Sequence, residues 1–124
     1  MKDFINYIKE NKKYPSGLNI FIDIDKTIAI LDIDKYGLDY SKSEPIIENI
    51  EIVNELYDAG NTITFYSARG ASSKIDWTVE TIKQFNRWGV KYHKIDLTKP
   101  NYDIFIDDKA INNFKELDSY LKQF

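Results

Sequence analysis

Cysteine is absent from the chain, which rules out a disulfide framework and any thiolate metal site. Histidine occurs once, so oxygen donors are the material for any metal site. No window approaches the roughly 20 apolar residues of a membrane span. The amphipathic, charged opening MKDFINYIKENKK has no apolar stretch long enough for a secretory leader. Together with the missing cysteine, this makes a soluble, cytoplasmic protein the expectation. An excess of positive charge is also lacking: the net charge is −3, which argues against a protein that coats nucleic acid. The cluster Lys9, Lys12 and Lys13 reads as a solvated helix face. Repeats, low-complexity tracts and linkers are missing too, so residues 1–124 are expected to form a single domain.

What is present is an ordinary globular mixture, 43% hydrophobic and 30% charged, in which short apolar runs alternate with helical periodicities. Phe4, Ile5 and Ile8 predict an N-terminal helix over 3–12, ended by the turn YPSG and possessing no motif of its own. LNIFIDID predicts a buried strand. Ile46, Ile50, Val53 and Tyr57 predict a helix to Ala59, with Ser43 as N-cap, Pro45 in the first turn and Gly60 as the stop. TITFYS is the second strand. Ser73 and Asp76 form a capping box for a helix whose buried line is Val79, Ile82 and Phe85, closed at Gly89. VKYHKI and YDIFID predict a third and a fourth strand. Asp108 caps a last helix with Ile111, Phe114, Leu117 and Leu121 on one face. Such alternation predicts a small doubly wound, Rossmann-like α/β domain with a parallel sheet of about four strands flanked by helices.

In such sheets the site lies at the carboxyl ends of the strands. The polar residues collect there: Asp23 and Asp25 followed by Thr27, then Ser67 followed by Ala68 and Arg69, then Lys99-Pro100, then Asp107-Asp108. Four carboxylates on one edge repel one another, each pair about 4 Å apart costing roughly 1–4 kcal/mol in a surface-like dielectric. Several such pairs rival a total stability of about 5–15 kcal/mol. A bound cation, raised pKa values or both must relieve this. An all-oxygen cluster favours a hard cation, Mg²⁺ first.

The ordered set DIDKT, Ser67 after an apolar strand, Lys99 and IDDK resembles the four-motif signature of the haloacid dehalogenase (HAD) superfamily, whose members are mostly Mg²⁺-dependent phosphatases. The resemblance spans about residues 19–109 and makes 18–124 the catalytic core, with 1–17 as an N-terminal helix and turn. It implies that Asp23 is the nucleophile that becomes an aspartyl-phosphate, and that Asp25 is the general acid and then the base. Ser67 would hydrogen-bond the phosphoryl group and Lys99 would neutralise it. Asp107 and Asp108 would hold Mg²⁺ together with Asp23 and the carbonyl of Asp25. Thr27, Ala68, Arg69 and Lys26 flank the motifs as candidate substrate contacts. Lys26 stands where the family pattern DxDGT has glycine.

Many such phosphatases carry a cap domain between motifs. Here the stretches from Asp23 to Ser67 and from Ser67 to Lys99 are already filled by a helix and short connections, so the chain resembles the minimal, capless type. That type acts on protruding substrates or has its open site covered by a second subunit, here a homo-oligomer. YSARG, WGVKYH and FIDDKA resemble small bacterial proteins associated with capsule or surface-polysaccharide biosynthesis, which implies a sugar phosphate substrate. FIDDKA also resembles the last motif of small 5′-nucleotidases. A phosphorelay receiver domain is the alternative of another class. It needs its acceptor aspartate where this chain has Ser67, and it has no use for Asp107-Asp108. Lys74, beside the second motif, reads as a surface residue; His93, Trp77 and Trp88 read as packing. The second DIDK, Asp32 to Lys35, fails the calcium-loop pattern at Tyr36 and Ser43 and reads as a flap or solvated turn beside the site.

Overall fold

The computed structural model describes residues 15–121, without the side chains at 118, 120 and 121. The expected helix over 3–12 lies outside the described residues, as does the side chain of Leu121. Three parallel strands, β1 (Asn19–Ile22), β4 (Thr62–Tyr66) and β5 (Lys94–Asp96), form a sheet in the order β1-β4-β5. Between the first two lie β2 (Ala29–Ile30), α1 (Ile33–Tyr36), a 3₁₀ turn (Tyr40–Lys42), β3 (Glu44–Pro45) and α2 (Ile47–Asp58). Then come α3 (Thr78–Trp88) before β5 and α4 (Phe114–Leu121) after it. The architecture is a mixed α/β fold with helices flanking a parallel sheet.

The β-branched run of β4 puts Ile63 and Phe65 in the core, and Ile22, Ile24 and Ile28 join them from the β1 side. Ile50, Val53 and Leu56, one stripe of α2, cover the sheet. Each such buried side chain contributes about 1.5–3 kcal/mol relative to exposure. Phe65 meets Phe85 of α3 edge-on at 4.8 Å. Asn61 fixes the register at the other end of the strands. Its Nδ2 donates to the Pro15 and Leu56 carbonyls, and its Oδ1 accepts from Leu18 N–H at 3.2 Å. Register pairs Ile22 with Phe65 and Tyr66 with Asp96, so the residues that follow all three strands emerge on one edge.

Several expectations need correction. Residues 102–107 form no strand; Ile104, Phe105 and Ile106 are exposed, and β1 is left as an edge strand. β propensity becomes a strand only through pairing, and here Tyr102 and Phe105 turn onto Lys99 instead. Ser43 does not cap α2 but closes the 3₁₀ turn, its N–H donating to the Tyr40 carbonyl; Ile46 occupies the N-cap of α2, and Pro45 pairs with Ala29 in a two-stranded antiparallel ribbon. α3 starts one turn later than a Ser73–Asp76 box requires, with Asp76 accepting from the N–H and hydroxyl of Thr78. Asn113 rather than Asp108 caps α4, accepting from Glu116 N–H at 2.8 Å. The inward line of α3 is Thr81, Gln84 and Phe85, while Val79 and Ile82 are exposed.

Candidate functional site

The edge where β1, β4 and β5 end carries Asp23, Ser67 and Lys99. Asp23 follows β1 directly, and its Oδ1 accepts from Ile24 N–H at 2.9 Å. Lys99 Nζ stands 3.9 Å from the same oxygen. Burial pushes the Asp23 carboxyl above the usual carboxylate range, against the pull of Lys99 and the Ile24 N–H, with the charge of Asp25 adding to the rise and Arg69 opposing it. Ser67 is buried; its N–H donates to the Asp96 carbonyl, its carbonyl accepts from Lys99 N–H, and its Oγ accepts from Arg69 N–H at 3.1 Å. Those bonds tie the second and third motifs together through the backbone.

The turn after Asp23 winds on a single acceptor. The N–H groups of Thr27, Ile28 and Ala29 all reach the Ile24 carbonyl, while Lys26 N–H donates to Ala29 O at 2.7 Å. That winding forces Lys26 to φ 66°, the left-handed region, which explains physically why glycine suits this position. The Lys26 side chain is exposed. Asn49 Nδ2 donates to the Thr27 carbonyl at 2.8 Å and fastens the turn to α2.

Asp25 is held by Arg69. The guanidinium Nε lies 3.0 Å from Oδ2, and Nη2 lies 3.0 Å from Oδ1. Arg69 Nη1 donates to Thr81 Oγ1 at 3.0 Å and to Gln84 Oε1 at 2.8 Å, and the Tyr40 ring covers the guanidinium with its centroid 4.9 Å away. Arg69 is buried and engaged on every nitrogen, so it positions Asp25 rather than standing open as a substrate contact. Thr81 and Gln84 face inward for the same reason. Sequence reasoning missed both; the signal was their i, i+3 spacing on a helix whose apolar line would otherwise have been read as the inner face.

Lys99, with a side chain 12% exposed, lies among three rings. Its Nζ is 5.1 Å from the centroid of Tyr102, 5.7 Å from Phe105 and 6.0 Å from Tyr66. These contacts partly replace the ammonium's lost hydration. Asp107 and Asp108 are exposed, and Asp107 accepts from Lys109 N–H at 2.7 Å. Among the described residues no three carboxylate, histidine or cysteine side chains are grouped to hold a metal ion. Asp23 and Asp25 have the donor chemistry of a hard-cation site, but the described arrangement does not assemble the four-aspartate set. Ala68 is half-buried, and Lys74 takes a left-handed φ of 63° beside Gly70.

The second DIDK is a short capped turn: Asp32 accepts from Lys35 N–H at the start of α1, whose residues are all exposed. His93 is structural, its Nδ1 accepting from Ile63 N–H at 3.0 Å and its ring stacked on Tyr57. No helix among the described residues is long and apolar enough to cross a membrane.

No family model and no curated protein matches the chain. The fold is similar to a crystal structure of a protein from Vibrio cholerae, with a TM-score of 0.65 and 20% identity over 85% of this chain and 97% of that one. It is also similar to a chain in the structure of a Pnkp1/Rnl/Hen1 complex, with a TM-score of 0.55 and 12% identity over 87% of this chain and 35% of that one. At these identities the likeness is one of fold.

Proposed function

We propose that the protein is a Mg²⁺-dependent phosphomonoester hydrolase of HAD type, acting on a sugar phosphate or a similar small phosphorylated metabolite. The observation that carries this reading is the meeting, on one edge of a parallel sheet, of a partly desolvated Asp23, a lysine 3.9 Å from it and an oriented second carboxylate, Asp25.

In this reading Asp23 attacks phosphorus, the bond to the leaving oxygen breaks, and Asp25 gives that oxygen a proton. Asp25 then takes a proton from water as the water attacks the aspartyl-phosphate, releasing phosphate and restoring Asp23. Dehydration of Asp23 leaves its oxygens less shielded for attack. Lys99 supplies positive charge for the transferring group, and Ser67 supplies a hydroxyl donor. Mg²⁺, when bound, would add charge neutralisation at the phosphoryl oxygens.

The same proposal requires residues 102–107, which lie unpaired in the structure described above, to dock on the open edge of β1 and so bring Asp107 and Asp108 toward Asp23. Slowed amide exchange at Ile104 to Ile106 supports that pairing; exchange at the rate of an open chain refutes it.

The test of function is phosphate release from a panel of sugar phosphates and nucleotides, with and without Mg²⁺, for the wild type and Asp23→Asn. Turnover that the substitution abolishes is expected. Absence of turnover in both, or equal turnover in both, overturns the reading.

A further inference from the structure

The segment 31–43 leads from β2 to β3, and most of it is exposed. Tyr40 fastens it to the interior. Its carbonyl accepts from Gln84 Nε2, and its ring covers the Arg69 guanidinium. Gln84 is fully buried and uses both ends of its amide: while Nε2 serves Tyr40, Oε1 accepts from Arg69 Nη1 at 2.8 Å. One side chain of α3 thus joins the exposed segment to the loop after β4. The amide fits only this way round, because a flip would set its NH₂ against the guanidinium and its oxygen against the Tyr40 carbonyl.

Arg69 carries that placement onward. A guanidinium is planar and rigid. With Nη1 held by Gln84 and Thr81, the angle of the opposite edge is set, and that edge, Nε and Nη2, grips both oxygens of Asp25. The path from Tyr40 through Gln84 and Arg69 to Asp25 is made of hydrogen bonds throughout.

We propose that Gln84 is a positioning residue. Seated on the Tyr40 carbonyl, it sets the Arg69 fork so that Asp25 faces the leaving oxygen, and it makes that alignment depend on the docking of the 31–43 segment. This rests on the phosphatase reading and deepens it. The step affected is the passage of a proton from Asp25 to the leaving oxygen, as the bond from phosphorus to that oxygen breaks and Asp23 bonds to phosphorus. An alkoxide needs that proton, whereas a nitrophenolate is stable enough to leave without it. A displacement of about 1 Å in such a group costs on the order of 10²-fold in rate.

The experiment measures kcat/KM for wild type, Gln84→Met and Gln84→Glu on alkyl phosphates (glycerol phosphate and hexose phosphates) and on p-nitrophenyl phosphate. That constant covers the steps up to loss of the leaving group, so hydrolysis of the aspartyl-phosphate does not enter it. Gln84→Met cuts both links. Its expected effect is a loss of about tenfold or more on the alkyl phosphates, against less than about threefold on p-nitrophenyl phosphate. Gln84→Glu keeps an acceptor for Arg69 but sets an oxygen against the Tyr40 carbonyl. It should speed amide exchange at Ser43, whose N–H is bonded to that carbonyl. It should also show the same selective loss at smaller size, about three- to fivefold. Equal losses on both substrate classes, or none, overturn the role of Gln84 alone; where Gln84→Met fails to fold, Gln84→Glu decides. A wild type that cleaves only the aryl ester also overturns it, since no proton transfer is then left to align. A wild type inert toward every ester overturns the phosphatase reading and this inference with it.

Discussion

Replacing Arg69 by methionine removes one cation and leaves three partners stranded. The Arg69 side chain is 0% exposed and that of Asp25 28% exposed, so Asp25 recovers only part of its hydration when the guanidinium goes. Thr81 Oγ1 and Gln84 Oε1 lose their donor in the interior, and each orphaned buried acceptor costs about 1–3 kcal/mol. Breaking a buried ion pair from one side costs about 3–5 kcal/mol, and that is the expected loss here. It is a large fraction of a typical stability of about 5–15 kcal/mol. In a domain of this size it corresponds to a drop of about 12–20 °C in the thermal midpoint. Urea denaturation followed by far-ultraviolet circular dichroism measures it. A double-mutant cycle with Asp25→Asn isolates the pair, and a coupling above about 1.5 kcal/mol is expected. A loss below about 1 kcal/mol for Arg69→Met, or additive single mutants, refutes the argument that this arginine organises the site.

Asp23 has a raised pKa in the folded state, so its contribution to stability is complete below the ordinary value of 3.8 and declines as pH rises through the folded value. Asp23→Asn removes that decline. Its stability relative to wild type should therefore climb from pH 3 upward and level off near neutrality, and a flat difference contradicts the assignment. Lys26→Gly relieves a left-handed backbone and should stabilise by about 0.5–1 kcal/mol in urea titrations, after the added freedom of the unfolded chain is counted; destabilisation contradicts it. Gly70 has φ 82°, and an added Cβ would lie 2.0 Å from the Ile75 carbonyl oxygen. Gly70→Ala should cost at least about 2 kcal/mol by the same assay, and a neutral result means that the 70–77 loop yields freely.

The legible parts of the fold were those written in local chemistry. The β-branched runs marked β1 and β4, the turn residues marked the end of α3 at Gly89, and the polar residues after the strands marked the edge where Asp23 and Lys99 meet. Residues 102–107 carry the same kind of apolar run as β1, yet strand formation depends on a partner that no local pattern names. The face of α3 misled for a related reason. Val79 and Ile82 outrank Thr81 and Gln84 in hydrophobicity, and only the arrival of Arg69 from β4 makes an inward polar pair favourable. Helix starts slipped because side-chain caps were read where backbone geometry alone begins α2. Arg69 itself was visible as a residue of the site, but its commitment to Asp25 was not.

The winding of three N–H groups onto Ile24 O is entirely local, while the clamp on Asp25 comes from a strand far along the sequence. Closing the turn needs only a short loop and little chain entropy, whereas the clamp waits for β1 and β4 to pair. The acidic turn can thus take shape early, with its carboxylates still in water, and the dehydration that raises the Asp23 pKa comes only when the sheet and Arg69 close behind it. Opening reverses that order. If the clamp closes after the folding barrier, it holds the molecule shut in time as well as in energy, because interactions made that late chiefly set the rate of unfolding.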